Sequence, residues 1–299
     1  MRHIYLLFIT LFLLLGCSET QPKPLVHKVS DSCTYYSLQG AECLEKEVLL
    51  KKLAPFRVIF VGDHHHSANA HQIMTDLIKG FSAKGYKIKM ANEWFTPDDR
   101  VLLEQFLKTN LDRNSSKMLG WKKRVGYDYN LSQLIFKAVQ EANGTLYGIN
   151  MDKKFKTLIS DANMSAMTSQ QKLFYKTLDL NVSAHQQLLA PYFEHCHHLK
   201  KGETAQMCSE RMYRVQVAWD SMMGRQSALL AQKLRGNEKL LVFVGAMHLE
   251  GKLGANMRFS RESHLPFVTI LPYPKETEST QFIEIENGSS DFIYLYNED

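Results

Sequence analysis

A chain of 299 residues, 44% hydrophobic and 22% charged, has the make-up of an ordinary globular protein and can bury one large core or two small ones. Its formal net charge of +5 is modest and spread over both signs, so it does not argue for nucleic acid. No internal repeat and no low-complexity tract appears, which sets aside solenoids and linker arrays.

Arg2 and His3 precede an apolar run, Ile4 to Leu15, broken only by Thr10. The run is too short to anchor a chain across a bilayer and fits a signal-peptide core. It ends in Leu14, Leu15, Gly16 and Cys17, which resembles the bacterial lipobox. In that motif the cysteine after a small residue is lipidated and becomes the first residue of the mature protein. The plainer alternative is a secretory signal followed by a chance cysteine. The lipobox reading makes residues 1–16 a signal peptide and residues 17–30 a lipidated tether that reaches the membrane through Cys17. In such lipoproteins a serine after the cysteine, here Ser18, usually permits transfer to the outer membrane, so that location in the cell envelope is expected. Four cysteines remain, an even number in an oxidising compartment. Cys33–Cys43 and Cys196–Cys208 are the simplest bridges, and the sequence leaves the other two connectivities open.

Residues 31–299 read as a single α/β domain. Residues 26–55 resemble an irregular arm that leads to a short amphipathic segment, Glu45 to Leu53. Val58 to Val61 is an apolar run that stops at Gly62, where a tight backbone turn is expected. Asp63, His65 and His71 follow around the start of a helix that Ser67 or Asn69 can cap, with Ile73, Leu77 and Phe81 as its apolar face. Tyr86 to Ala91 reads as a second strand that delivers Asn92 and Glu93, and an unpaired buried carboxylate at Glu93 would be costly. Pro97 to Asp99 start a helix, and another runs from Leu131 to Ala142. Thr145 to Ile149 is a third strand ending at Asn150. From about 152 to 237 the pattern is almost wholly helical, a large insertion between strands. Lys239 to Val244 is a fourth strand that stops at Gly245-Ala246-Met247-His248, and Pro266 to Leu271 is a fifth. Phe282 to Ile285 and Phe292 to Tyr296 suggest an edge hairpin across Asn287-Gly288. Strands alternating with helices imply a mostly parallel central sheet flanked by helices.

Polar residues gather at the strand ends: Asp63 with His65, then Glu93, Asn150 and His248. In an open parallel sheet these ends share one edge, where ligands bind. Gly-x-x-His occurs twice, as GDHH and GAMH, each turn aiming an imidazole over the sheet. The plain reading of His65 and His248 is core histidines bonded to backbone.

The order GDHHHSANAH, NEWF, GIN, YRVQVAWDSMM and VFVGAMHLEGKLG resembles the ChaN family of haem-binding bacterial lipoproteins, related to metal-dependent proteases of the TIKI and TraB type and to erythromycin-esterase-like proteins. The resemblance runs from about Val58 to Phe267. The family's first motif usually reads Gly-Glu-x-His, whereas this chain has Asp63, one methylene shorter. The resemblance implies a haem-binding protein of iron acquisition that works as a homodimer holding stacked haems. Such a site needs an axial ligand, cations for the propionates and an apolar wall. His65, His71, His248 and Glu93 match the family's positions. Tyr213, on the best-matching helix, is the first candidate for the iron ligand, with Tyr192 and Tyr127 as rivals, and Arg211 and Arg214 suit the propionates. Tyr213 beside Val217 also reads as plain helix packing, and the insertion's methionines and aromatics as plain core. Glu194, His195, Cys196, His197 and His198 form a further cluster in which a metal site competes with the Cys196–Cys208 bridge.

The residues by themselves also permit a metal-dependent hydrolase, a peptidase or esterase. His65, His248 and Glu93 or Asp63 would hold a divalent ion that lowers the pKa of a bound water, with His71 as base. A metal-free variant would use Asp63 and His65 as orienter and base. Neither an HExxH helix nor a serine nucleophile elbow is present.

Overall fold

A computed structural model describes residues 26–30, 32–194, 196, 199–275, 282–286 and 288–298. The signal segment, Cys17, most of the tether and the histidines at 195, 197 and 198 lie outside them. Among the described residues the strands are β1 (Val26–Ser30), β2 (Tyr35–Ser37), β3 (Glu42–Leu44), β4 (Val58–Asp63), β5 (Lys87–Asn92), β6 (Thr145–Gly148), β7 (Glu238–Gly245), β8 (Phe267–Pro274), β9 (Phe282–Glu286) and β10 (Phe292–Tyr296). The α-helices are α1 (Lys46–Leu53), α2 (Ala68–Ala83), α3 (Arg100–Phe106), α4 (Arg113–Met118), α5 (Trp121–Arg124), α6 (Tyr129–Glu141), α7 (Lys153–Ser160), α8 (Ser169–Lys176), α9 (Ser183–Phe193), α10 (Ala205–Ala231) and α11 (Ala255–Glu262). No described helix is long and apolar enough to cross a membrane.

The fold is the expected α/β arrangement. Eight strands form one sheet in the order β3-β2-β10-β8-β4-β7-β5-β6. From β10 to β6 every neighbouring pair is parallel, while β2 and β3 add an antiparallel edge. Every residue of β4 is buried, because both of its faces are covered. Ile59 and Val61 pack under α2 and α6; Val58 and Phe60 face the opposite way, under α10 and α11. After β4 the chain passes through α2 to β5, beyond β7. After β7 it passes through α11 to β8, on the other side of β4. These connections leave in opposite directions, so the carboxyl ends of β4 and β7 flank the crevice where such sheets bind ligands.

Local chemistry explains the elements that carry the site. The Ser67 hydroxyl accepts the Ala70 amide and caps α2, whose Ile73, Leu77 and Phe81 are buried as the spacing predicts. Thr204 caps α10 in the same way, accepting the Met207 amide. Gly62 departs from expectation. It lies inside β4, and what it provides is close approach: a Cβ there would meet Pro272 Cδ at 2.7 Å and Ala246 Cα at 3.2 Å.

Two further expectations are corrected. The N-terminal arm is not irregular: β1 pairs with β9, and β2 and β3 extend the main sheet. The late strands do not pair as a hairpin. β10 lies between β8 and β2 and is buried along its whole length, so burial of both of its faces outweighs the local Asn-Gly turn signal. The bridges are Cys33–Cys43 and Cys196–Cys208, the local pairing.

Candidate functional site

The strand ends converge on Glu93. Asp63, the last residue of β4, is 3% exposed and contacts two imidazoles. Its Oδ2 accepts the Nδ1–H of His65 at 2.7 Å, and its Oδ1 lies 2.6 Å from Nε2 of His71 on α2. His71 donates its Nδ1–H to the Leu131 carbonyl at 2.9 Å. A carbonyl only accepts, so the Nε2 facing Asp63 needs a second proton, and His71 is an imidazolium. Burial opposes that charge, but the bond to Asp63 and its charge outweigh burial and raise the His71 pKa. Burial likewise opposes the Asp63 carboxylate, and the two histidines hold its pKa below the usual range. His65 is pushed up to about 9: burial works against its charge, and the Asp63 bond with the charges of Glu93 and Asp63 prevails. The other His65 nitrogen, Nε2, sits 3.5 Å from Glu93 Oε1.

A second support faces the first. His248, in the turn after β7, brings Nδ1 within 2.6 Å of Asp220 Oδ1 and Nε2 within 3.7 Å of Glu93 Oε2. Asp220 is on α10 and fully buried. Its Oδ2 lies 3.4 Å from Nε2 of His185 on α9, also fully buried. Gln216, one turn before Asp220, places Nε2 2.8 Å from His248 Nδ1 and 3.4 Å from Asp220 Oδ1. Burial disfavours the charged His248 ring, but the Asp220 bond and the charges of Asp220 and Glu93 raise its pKa. Gly245 leaves room for this meeting, since a Cβ there would lie 3.2 Å from the His65 ring.

Above Glu93 opens a cavity of about 1020 Å3 lined in part by His65, His248, Tyr127, Trp219, Phe95 and Met151. That is the upper end of cofactor-sized sites, ~300–1000 Å3. Tyr127 stacks on His65 with ring centroids 5.4 Å apart and planes 11° apart. Lys123, Arg124, Lys153 and Lys156 bring positive charge to the lining. Arg124 is paired with Asp99 at 2.7 Å, and the Lys156 ammonium lies 5.6 Å from the Trp219 ring centre.

The structure therefore brings together Asp63, His65, His71, Glu93 and His248. It does not bring Tyr213 into the cavity: that hydroxyl lies 3.3 Å from His185 Nδ1, behind Asp220. Tyr127 lines the cavity with its ring, and its hydroxyl turns inward towards Ser132 and Trp94. Tyr192, on α9, is 54% exposed and lies beside Glu250, two residues past His248. Burial raises the phenol pKa of all three. Arg211 makes a two-pronged ion pair with Glu203 at 2.7 and 2.9 Å, and Arg214 caps α7 by donating to the Ile159 and Ser160 carbonyls. Both guanidinium groups are thus committed inside the insertion. Cys196 is bridged and offers no thiolate; its neighbouring histidines lie outside the described residues. Sequence reading missed Asp220, His185 and Gln216. Gln216 and Asp220 do lie within the family-like motif YRVQVAWDSMM, but the motif assigns them no role, and no sequence signal marks His185.

The family model described as "Haem-binding uptake, Tiki superfamily, ChaN" matches residues 49–259. No curated protein matches the chain. Among solved structures, one of cofacial haem binding to ChaN of Campylobacter jejuni is similar with a TM-score of 0.67 and 15% identity, over 88% of this chain and 96% of that one. The type III effector HopBA1 gives a TM-score of 0.47 at 15% identity over 85% and 94% of the two chains. An erythromycin esterase in its open conformation gives 0.44 at 11% identity over 85% and 83%.

Proposed function

The chain belongs to the ChaN family of haem-binding uptake proteins in the Tiki superfamily, and on that premise we propose that it captures haem in the cavity above Glu93 during iron acquisition. The single observation that carries the reading is the make-up of that cavity. A porphyrin needs a flat apolar wall, donors near its iron and cations for its propionates. Trp219, Phe95, Met151 and the Tyr127 ring supply the wall; His65, His248 and Glu93 supply the donors; Lys123, Lys153 and Lys156 supply the charge. Haem bound there would contribute a ferric centre for these donors, while the protein binds and orients it.

The finer reading is a tyrosine ligand supplied across a homodimer interface. Tyr192 is the phenol that suits it, because it is exposed on α9 beside Glu250, two residues past His248, while Tyr127 and Tyr213 point inward. The lipobox supports anchoring through Cys17 at the outer membrane. Haem titration of the mature domain lacking Cys17, followed by absorbance and size-exclusion chromatography, tests the core of the proposal. Saturable binding with a ferric Soret shift and movement towards dimer supports it, and absence of saturable binding overturns it. Tyr192→Phe should alter the spectrum. If Tyr192→Phe, Tyr213→Phe and Tyr127→Phe each leave spectrum and affinity intact, the tyrosine assignment is wrong. Labelled fatty acid retained on the chain, and lost with Cys17→Ala, tests the anchor.

One observation favours a second reading, a divalent-metal hydrolase. Asp63, His65 and Glu93 each offer a ligand atom within 4.8 Å of the others. Both Asp63 oxygens face histidines, so His65 Nε2, Glu93 and His248 Nε2 would face the ion, with Asp63 and Asp220 behind them. The Asp63–His65 pair equally serves the metal-free variant as orienter and base. Metal analysis of the purified chain, with chelator-sensitive hydrolysis of ester and peptide panels, tests the metal reading. No bound metal and no chelator-sensitive turnover would remove it.

A further inference from the structure

His185 lies behind the cavity wall, fully buried, and haem capture gives it no task. Its surroundings nevertheless determine where its proton sits. Nδ1 faces the Arg258 Nη2 at 3.4 Å and the Tyr213 hydroxyl at 3.3 Å. A guanidinium has only hydrogens to give, so Nδ1 keeps its lone pair and accepts. Burial and the Arg258 charge lower the His185 pKa to about 4, so the ring is neutral with its proton on Nε2. The nearest acceptor for that proton is Asp220 Oδ2, 3.4 Å away, and neither of these two buried atoms has another hydrogen-bond partner among the described residues.

The other Asp220 oxygen, Oδ1, can accept the Gln216 amide at 3.4 Å and has His248 as its closer partner. Oδ1 lies 2.6 Å from His248 Nδ1. A competing arrangement has the Gln216 amide donating to a bare Nδ1, but it would leave the lone pairs of Nδ1 and Oδ1 facing each other at that distance. The nitrogen that remains for the cavity is Nε2.

We propose that His185 and Asp220 are positioning residues that together hold the His248 proton on Nδ1 and aim Nε2 at the ligand bound above Glu93. The purpose of this arrangement rests on the haem reading. Its geometry does not. Tyr213 and Arg258 are the outer members of the support, because their donors force the tautomer of His185.

Asp220→Asn tests the proposal sharply, since an amide carries a single acceptor oxygen where the carboxylate carried two. His185 has no choice of tautomer, so it takes that oxygen. The amide NH2 then faces His248 Nδ1, and the His248 proton must move to Nε2. Adding His185→Phe frees the amide to turn its oxygen to His248 and restores the first arrangement. The measurement is imidazole nitrogen NMR on the full, haem-free chain in detergent with labelled histidine. The His248 signal is identified by its loss in His248→Gln and read with the ring neutral. Expected are an Nδ1 proton in the wild type, an Nε2 proton in Asp220→Asn, and an Nδ1 proton again in the double variant. Haem affinity should fall about ten-fold or more in Asp220→Asn and largely recover in the double variant. A wild-type proton on Nε2, which needs no variant to observe, overturns the proposal. So does an Asp220→Asn chain in which the proton stays on Nδ1. A proton that moves while affinity holds overturns the role assigned to His248 in binding. If the wild type takes no haem, the haem reading fails and the NMR result still decides the positioning.

Discussion

Asp63 and Asp220 stand on opposite sides of Glu93 and hold the cavity histidines in the same way. Each accepts an Nδ1–H, from His65 at 2.7 Å and from His248 at 2.6 Å, and each sets its second oxygen against a buried histidine, His71 or His185. The supports differ in charge. His71 is an imidazolium because the Leu131 carbonyl takes its other proton, whereas His185 is neutral because burial and the Arg258 charge lower its pKa to about 4 and Arg258 donates to its Nδ1. Removing one partner from a buried pair leaves an uncompensated charge, which costs ~3–5 kcal/mol. Asp63→Asn should therefore lower unfolding stability by about that amount at neutral pH. Urea unfolding measures it, and a loss below about 1 kcal/mol would show that the pair does not carry charge as described.

The first support also predicts a pH dependence. Folding raises the His65 pKa from its ordinary ~6.5 to about 9, so the folded state binds this proton more tightly than the unfolded chain. The stabilisation from His65 is fully present below about pH 6.5 and is lost as pH rises through about 9. The difference in urea midpoint between wild type and His65→Gln should shrink over that window. A difference that grows with pH would contradict the Asp63–His65 ion pair.

Charge at the cavity gives a third prediction. Lys153 and Lys156 line it, and no carboxylate pairs with either among the described ion pairs. Exposed charges act at a distance that salt shortens, with a Debye length of ~10 Å at 0.1 M. Reversing both to Glu should weaken haem binding several-fold at low ionic strength and much less at high salt. Equal loss at both salt concentrations would point to damaged packing around Trp219 rather than to lost attraction for propionates.

Gly254 gives a fourth. A Cβ at this position would lie 1.9 Å from the His248 carbonyl oxygen, a backbone atom that cannot rotate away. Gly254→Ala must displace the turn that carries His248. It should cost ~1–3 kcal/mol of stability, as overpacking does, and also weaken haem binding. Thermal unfolding with haem titration checks both, and an Ala variant that binds haem normally would show that the turn's position is not critical.

The legible part of this site was its local part. Asp63, His65 and His71 fall within nine residues, and an apolar strand followed by a capped helix announces their placement. Glu93 and His248 were legible because each follows a strand pattern, alternating through residues 86–91 and continuously apolar through residues 240–244. The opposite support was not. Asp220 and His185 sit on helices of the insertion, where an acid or a histidine looks like any polar interruption of a packed face. Tyr213 drew attention through its motif, yet it lies seven residues before Asp220, about two helical turns away on nearly the same face, with Gln216 between them. The helix presents Gln216 and Asp220 to His248 and leaves Tyr213 to His185. The late hairpin was misread for a related reason, since Asn-Gly is a local signal and the burial of β10 on both faces depends on strands far away in the chain.

By itself the sequence determined what depends on neighbours along the chain: the parallel α/β plan, the family, and the three strand ends that carry Asp63, Glu93 and His248, while it left the disulfide pairing and the choice of cap on α2 open. Tertiary structure alone decided which groups those residues meet. Hydrogen bonds and ion pairs act over a few ångströms between side chains that can be far apart in sequence, as Asp220 and His185 are from Glu93. Only the packing of the insertion against the sheet edge brings a second carboxylate to His248, commits Arg211 and Arg214 elsewhere and turns Tyr213 away from the cavity.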